Sequence, residues 1–282
     1  MDYFIVDAFT SQPFGGNPAG VVLLGQDGAF PPEELMLKVA AELRYSETAF
    51  VQQNGPAEFT LRYFTPKGEV DLCGHATIAA FGVLYRQGIV ADGTRCLNHT
   101  LAGDLDVSVG EQVMMQMATP RVVEASIDIP RLRRIMTVPD LCATVLPPEV
   151  ISTGLPDIIL PVDTVECLNA LCPDMDALAA LSSELQVVGV HAFALARDGY
   201  TAHVRNFAPL YDIPEESATG TANAALTHYL ARHGIIGGAT GCSFLQGEAM
   251  GRPSIIGTRR LPDGTIHVGG PSRIVANGIL HV

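Results

Sequence analysis

Positive charge is scarce in this sequence: 17 Lys and Arg stand against 30 Asp and Glu, which gives a net charge of −13. This balance argues against a nucleic-acid partner, because phosphate backbones are bound by clustered basic side chains. Long apolar runs are missing as well, and the stretch at residues 185–196 is too short to cross a bilayer. We therefore expect neither a nucleic-acid nor a membrane partner.

Motifs for cofactors and metals are also lacking. The sequence has no Gly-x-Gly-x-x-Gly or Walker segment, so no nucleotide cofactor is expected. The six cysteines form no Cys-x-x-Cys pair and no Cys/His spacing typical of zinc, which predicts no metal site. The N-terminus has no basic segment ahead of its apolar residues and does not resemble a secretory signal. We therefore predict a cytoplasmic protein with reduced cysteines.

Hydrophobic residues make up 48% of the 282 residues and charged residues only 17%, a balance typical of globular proteins. Helices are predicted at three places. Prolines and acids at residues 31–34 open a helix that should end near Arg44. Two Ala-rich helices follow glycines, at residues 74–85 and 220–233. Strands are predicted around all three helices.

The two halves of the chain repeat one pattern. An Arg-x-Phe-x-Pro segment begins at Arg62 and again at Arg205, 143 residues later. The glycines that open the two Ala-rich helices, Gly74 and Gly220, are 146 residues apart. Because both offsets are close to half of the chain, the sequence predicts a duplicated, two-domain architecture.

Gly74 and Gly220 lie where a helix N-terminus could bind an anion. Unpaired N–H groups and the helix dipole favour negative charge there, and glycine allows a ligand to approach the backbone. A single glycine before a helix is more often only a tight turn. Because both halves have a glycine at a helix start, anion binding is favoured over a simple turn. We predict a small carboxylate-bearing ligand.

Several side chains near these glycines could carry chemistry. Glu47, at the entry to a predicted strand, could act as a general base and then a general acid if burial raises its pKa. Judged alone, it is more often a solvated turn residue. Cys73 is either a reactive thiolate at a helix start or a buried structural thiol. His75 either donates to a substrate or caps its own helix, and Glu215 and Glu216 are explained by the helix dipole.

Two segments carry a family resemblance, Ser-Glu-Thr-Ala-Phe at residues 46–50 and Cys-Gly-His-Ala-Thr at residues 73–77. The further matching segments are residues 6–10, 16–19, 64–66, 205–209, 218–222, 246–247 and 251–254. In these segments the chain resembles the PhzF family, the phenazine biosynthesis-like isomerases with the diaminopimelate epimerase-like fold.

The resemblance implies an α+β fold of two pseudo-symmetric diaminopimelate epimerase-like domains, each a β-barrel-like sheet around a central helix. We place the domains at residues 1–125 and 126–282, with the last strand allowed to return to the first domain. The resemblance also implies a homodimer and an active site in the cleft between the domains. There Glu47 would serve as acid/base of a cofactor-independent isomerase acting on a small carboxylate. The substrate-binding residues implied are Asn17, Gly74, His75, Glu216, Gly220 and Thr221.

Two departures and two alternatives accompany this interpretation. The family commonly has Asp at the position of Glu216 and Ser at that of Thr221, so the substrate pocket need not be the same. Racemases of this fold use a cysteine at the start of each central helix, whereas this chain has Cys73 and Thr219. The alternatives are an epimerase or racemase dependent on Cys73, and a non-catalytic protein that binds small anions or serves in assembly. The sequence does not identify the substrate.

Overall fold

The computed structural model describes residues 1–26, 28–139, 142, 144–238 and 240–282. It divides into two compact units. Unit 1 consists of Met1–Gln116 and Gly269–Val282, and unit 2 consists of Met117–Val268. The chain therefore passes from unit 1 into unit 2 once and returns once.

The unit boundary follows residue 116, whereas the sequence placed it after residue 125. The strand Arg121–Val123 accounts for the difference, because it pairs antiparallel with the strand Glu149–Ser152 and so belongs to unit 2. Near the C-terminus, the strand Ser272–Ile279 pairs antiparallel with Asp2–Ala8. The last strand is therefore part of unit 1.

Unit 1 is built mainly of strands, with two helices between them. Its helices are α1 (Glu33–Leu43) and α2 (Gly74–Arg86). Its strands are β1 (Asp2–Ala8), β2 (Asn17–Gln26), β3 (Thr48–Gly55), β4 (Glu58–Thr65), β5 (Gly68–Val70), β6 (Arg95–Thr100), β7 (Gly103–Ser108), β8 (Val113–Gln116) and β18 (Ser272–Ile279).

Unit 2 has the same character with more helices. Its helices are α3 (Ile129–Ile135), α4 (Val165–Asn169), α5 (Met175–Leu185) and α6 (Gly220–Arg232). Its strands are β9 (Arg121–Val123), β10 (Glu149–Ser152), β11 (Pro156–Pro161), β12 (Val190–Leu195), β13 (Ala202–Ala208), β14 (Ile213–Glu216), β15 (Gly241–Gln246) and β16 (Ser254–Arg260). The strand β17 (Ile266–Gly270) begins in unit 2 and ends in unit 1.

Six strands in each unit pair in the same order and with the same directions. In unit 1, β1 to β4 and then β6 and β7 are joined by antiparallel, parallel, antiparallel, parallel and antiparallel pairings. In unit 2, β10 to β13 and then β15 and β16 are joined by the same series. This repeated topology confirms the predicted α+β class with two pseudo-symmetric halves.

Helices α2 and α6 are the central helices of their units. Ten residues of α2 and nine of α6 are buried, which is typical of a helix enclosed by other elements on most of its sides. At Gly82 a Cβ atom would lie 1.9 Å from Ser272 Oγ, so only glycine lets α2 approach β18 this closely. Within the described ranges, no helix combines the length and apolar character needed to span a membrane.

The Arg-x-Phe repeat of the sequence forms the same side-chain arrangement in both units. Arg62 makes two hydrogen bonds of 2.6 Å to the Glu69 carboxylate, and its guanidinium lies 5.2 Å from the centre of the Phe64 ring. Arg205 makes the same pair of bonds to Glu215, at 2.9 and 2.8 Å. Two-bond pairs of this kind favour Arg over Lys. The duplication therefore extends to individual side chains.

The expectation that all cysteines are reduced is wrong for one pair. Cys142 and Cys167 form a disulfide with a Cα–Cα distance of 5.8 Å. The two residues are 25 positions apart and both lie in the buried apolar cluster of unit 2. Only folding brings them together, so their spacing gave no indication of the bond. The other four cysteines are free: Cys73, Cys96, Cys172 and Cys242.

Candidate active site

Glu47, Cys73 and His75 form a cluster in unit 1, although they come from two segments of the chain. Glu47 directly precedes β3, Cys73 directly precedes α2, and His75 is the second residue of α2. Glu47 Oε2 lies 3.2 Å from His75 Nε2, and Cys73 Sγ lies 3.5 Å from His75 Nδ1. Two of the predicted site residues, Glu47 and His75, are therefore neighbours in the fold.

The backbone around Glu47 determines where its side chain lies. Arg44 follows the last residue of α1, and its φ of 61° is left-handed, as is common after the last turn of a helix. The Glu47 carbonyl then accepts a hydrogen bond of 3.1 Å from the Gly20 N–H of β2. The Glu47 side chain is 18% exposed. The Glu47 backbone is thus held on a sheet, while part of its side chain remains accessible.

The start of α2 has no side-chain cap. Cys73 is extended, and its side chain makes no capping hydrogen bond. Its carbonyl instead accepts a hydrogen bond of 2.7 Å from Thr77 Oγ1, and the Thr77 hydroxyl in turn lies 2.7 Å from the buried Tyr63 hydroxyl. The N-terminus of a helix carries partial positive charge. Glu47 and His75 therefore lie where a carboxylate ligand is favoured.

The charges within the cluster differ from the sequence expectation. Burial opposes ionisation of Glu47, but His75 and Ser46 outweigh it, so the pKa of Glu47 lies below its usual value. The upward pKa shift that was named as a condition for acid/base chemistry at Glu47 is therefore absent. Burial likewise opposes charge on His75, yet Cys73 and Glu47 hold the pKa of His75 well above its usual value. Burial and the Glu47 charge raise the pKa of Cys73 to about 11. The Glu47 carboxylate and a protonated His75 therefore favour one another, whereas ionisation of Cys73 is disfavoured.

A second group of predicted residues lies at the start of α6 in unit 2. Gly220 and Thr221 are its first two residues, and Glu216 ends β14. Thr219 Oγ1 donates a hydrogen bond of 2.8 Å to Glu216 Oε2, so Thr219, like Cys73, does not cap its helix. The neighbouring acid Glu215 is held by Arg205 and is structural. Glu216 is thus the acid that lies beside the helix start.

Sequence reasoning gave no role to Gln246, which organises this region. Its Oε1 accepts hydrogen bonds from the Thr219 N–H at 3.1 Å and from Asn223 Nδ2 at 2.9 Å. Its Nε2 donates to the Glu216 carbonyl at 2.8 Å. Gln246 is fully buried. The only sequence indication was its place in the Gln-Gly segment that contributed to the family resemblance.

Asn17, the last predicted residue, and Ser46, an overlooked one, lie in unit 1. Asn17 is buried at the start of β2, paired with Ala8 of β1. Ser46, which sequence reasoning did not single out, has its Oγ 3.3 Å from His75 Nε2. Its place beside Glu47 in the Ser-Glu-Thr-Ala-Phe segment was the available indication. Ser46 therefore joins the Glu47 cluster.

Asp157, on β11, is a buried acid that sequence reasoning also missed. It is 1% exposed, and burial together with the charge of Glu216 raises the pKa of Asp157 to about 7. Among the described residues, Asp157 Oδ1 and Asn206 Oδ1 are both buried without a hydrogen-bond partner. A proton on Asp157 supplies the donor that such acceptors need.

Replacing Asp157 with Asn is expected to stabilise the protein increasingly as the pH rises. The pKa of Asp157 is 3.8 when unperturbed and about 7 in the fold, so the folded state binds more protons and loses stability across this interval. The gain from Asn should be absent below about pH 4 and reach up to about 4 kcal/mol above pH 7. Urea unfolding of both proteins between pH 4 and 8 measures it. A difference that does not change with pH would contradict the protonated state of Asp157.

Known proteins resemble this chain over nearly its whole length. The sequence model of the PhzC-PhzF family, described as phenazine biosynthesis-like protein, matches residues 6–278. The uncharacterized isomerase YddE of Escherichia coli O157:H7 is 33% identical over 267 residues, which cover 89% of this chain and 87% of YddE.

Two further similarities come from an enzyme and a solved structure. The trans-2,3-dihydro-3-hydroxyanthranilate isomerase of Pseudomonas fluorescens is 31% identical over 265 residues, or 90% of this chain and 88% of that protein. The crystal structure of a PhzF-family phenazine biosynthesis protein from Bacillus anthracis has a TM-score of 0.88 at 25% identity, covering 100% of this chain and 99% of that chain.

Proposed function

This chain belongs to the PhzF family of phenazine biosynthesis-like proteins, and we propose that it moves a proton between two carbon atoms of a small carboxylate-bearing substrate without a cofactor. Relatives that share most of its length are named isomerases, and the protein is an enzyme of that class. The observation that carries the proposed mechanism is the pairing of Glu47 with His75 at 3.2 Å.

Glu47 is the proposed acid/base. Its low pKa keeps the carboxylate ionised, so it can accept a proton when the substrate C–H bond breaks. The electron pair of that bond shifts the substrate double bond and places negative charge on an enolate oxygen. Glu47 then gives a proton to another carbon, so the reaction is an isomerisation with no net oxidation. Because the Glu47 side chain is 18% exposed, its proton exchanges with water before it is returned.

His75 stabilises the charge as it moves. Before proton transfer the negative charge is on Glu47, and after it the charge is on the substrate. An imidazolium fixed beside Glu47 attracts both, and its low-dielectric surroundings strengthen that attraction. His75 is 6% exposed, so little solvent weakens its field. This is the expected role of a preorganised electrostatic group.

The substrate carboxylate is proposed to bind at helix N-termini. The N–H groups of Gly74 and His75 open α2, where the Cys73 side chain makes no cap. Gly220 and Thr221 hold the corresponding positions in α6. Asn17 in unit 1 and Glu216 in unit 2 are further proposed substrate-binding residues, each taken within its own unit. Glu216 would contact a donor group of the substrate, since a carboxylate only accepts hydrogen bonds.

The thiol alternative receives less support. A Cys73-dependent epimerase needs a thiolate, but the pKa of Cys73 is raised to about 11, so the thiol stays protonated at neutral pH. A second thiol at the corresponding place in unit 2 is also missing, because Thr219 stands before α6. Carboxylate chemistry at Glu47 is therefore favoured.

Hydrogen exchange in deuterated water tests this proposal. The purified chain is incubated with trans-2,3-dihydro-3-hydroxyanthranilate, the compound in the name of the Pseudomonas fluorescens relative, and with a panel of small unsaturated carboxylates. Proton NMR and mass spectrometry should find deuterium on carbon in at least one compound, together with its isomer. If no compound exchanges or raises the melting temperature, the non-catalytic alternative gains support.

The same assay separates the two catalytic mechanisms. The thiol mechanism predicts that Cys73→Ala loses exchange completely. The proposed mechanism predicts measurable exchange in Cys73→Ala, because the carboxylate that carries the proton is still present.

A further inference from the structure

Three kinds of metal-binding side chain converge in unit 1. Glu47, Cys73 and His75 each offer one ligand atom, and these atoms all lie within 4.8 Å of one another. His75 Nε2 is 3.2 Å from Glu47 Oε2 and 3.9 Å from Cys73 Sγ. Around a tetrahedral zinc ion, the corresponding edges are about 3.3 Å for nitrogen to oxygen and about 3.5 Å for nitrogen to sulfur. The nitrogen-to-oxygen separation thus matches a chelating geometry. Cys73 Sγ lies closer to Nδ1, at 3.5 Å, so a rotation of the His75 ring is needed to turn one nitrogen toward both other ligands.

A second observation concerns the Glu47 carboxylate. In the described part of the chain, Glu47 Oε2 is buried and makes no hydrogen bond. It faces His75 Nε2 at ion-pair distance but without the direction of a hydrogen bond. A buried carboxylate oxygen in this situation costs free energy. A cation bound between the two atoms would satisfy it, and a rotation of the partly exposed Glu47 side chain would shorten its distance to Cys73 Sγ.

We propose that Glu47, Cys73 and His75 form a binding site for Zn²⁺ or a similar borderline divalent cation. Thiolate and imidazole ligands favour this class over Mg²⁺ and Ca²⁺, which prefer oxygen ligands. Three protein ligands leave a fourth position for water. Binding displaces the protons of the Cys73 thiol and the His75 imidazolium into solvent, so the bound state holds a thiolate and a neutral imidazole.

The site has a consequence for activity that rests on the proposed function of Glu47. A carboxylate bound to a cation cannot take a proton from carbon, so Zn²⁺ should inhibit the isomerisation. The sequence gave no indication of the site, because the Cys-x-His segment supplies two ligands and the third comes from a residue 26 positions before Cys73.

Cobalt substitution tests the site without reference to activity. The full chain is stripped of metal with a chelator and carries Cys172→Ser, because Cys172 is the exposed free cysteine. Titration with Co²⁺ should produce a thiolate-to-cobalt absorption band that saturates at one ion per chain, and Zn²⁺ should remove it by competition. Cys73→Ser should abolish the band, and His75→Gln and Glu47→Gln should each weaken Co²⁺ binding at least about tenfold.

Cys96→Ser is the matched control, because Cys96 is another buried free cysteine of unit 1. It should keep the full band, and circular dichroism should show that every variant is folded. A band that persists in Cys73→Ser, or no band in the parent protein, would overturn the metal site. If the parent protein shows no band, the metal site fails, but exchange that depends on Glu47 can still be found. If the parent protein shows the full band and Glu47→Gln still exchanges, the proposed function fails and the metal site stands. The two proposals can therefore fail separately.

Discussion

Replacing Glu47 with Gln is expected to lower kcat/KM by about 10²–10⁴-fold, the usual contribution of a positioned general acid/base. Gln preserves the size of the side chain, but its amide neither takes a proton from carbon nor returns one. Steady-state kinetics on the substrate found by exchange measure the loss, and the rate of deuterium incorporation should fall in parallel. The effect should be on kcat more than on KM, because the carboxylate acts in the transition state.

Glu42→Gln is the matched control for this prediction. Glu42 is exposed near the end of α1, so the variant removes the same charge from the same region without touching the cluster. It should retain wild-type kcat/KM, and both variants should melt close to the wild-type temperature. Wild-type turnover by Glu47→Gln would show that another group transfers the proton.

Replacing Arg205 with Met is expected to lower the free energy of unfolding by about 3–5 kcal/mol, as when one member of a buried ion pair is removed. Arg205 and Glu215 are only 11% and 15% exposed. Besides its two bonds to Glu215, the guanidinium donates through Nη1 to the Leu168 and Leu171 carbonyls, at 3.1 and 2.9 Å. Met retains the apolar part of the side chain but leaves the Glu215 charge and these carbonyls without their donor.

Two comparisons isolate the cause of this loss. Arg62→Met removes the equivalent two-bond pair in unit 1, but Arg62 is 24% exposed, so its loss should be smaller. Arg205→Met combined with Glu215→Met should recover part of the stability, because no charge is then left unpaired. Urea unfolding followed by far-ultraviolet circular dichroism suits a chain without tryptophan. Equal losses for Arg62→Met and Arg205→Met would show that the extra carbonyl contacts contribute nothing.

The central elements were predictable because their indications are local. Prolines and acids before α1, and a glycine before an Ala-rich stretch in α2 and α6, mark helix starts within a few residues. The predicted ends near Arg44, Tyr85 and His233 agree with the structure. Three helices of unit 2 were not predicted, α3, α4 and α5. The helices α3 and α4 are short and have no glycine or acid-rich segment that marks their start. An exception is α5, where Asp174 caps the helix by accepting from the Ala177 N–H, an indication that was present and not used.

By itself, the sequence determined the duplication, the central helices and the family to which the chain belongs, because these depend on residue types at short or repeated spacings. Only the tertiary structure decided that Glu47 meets Cys73 and His75, that Cys142 bonds to Cys167, and that the pKa of Glu47 falls. Each of these depends on distances between side chains remote in sequence. Burial and a neighbouring charge shift a pKa in opposite directions, so the sign for Glu47 followed only once the His75 ring was found beside it.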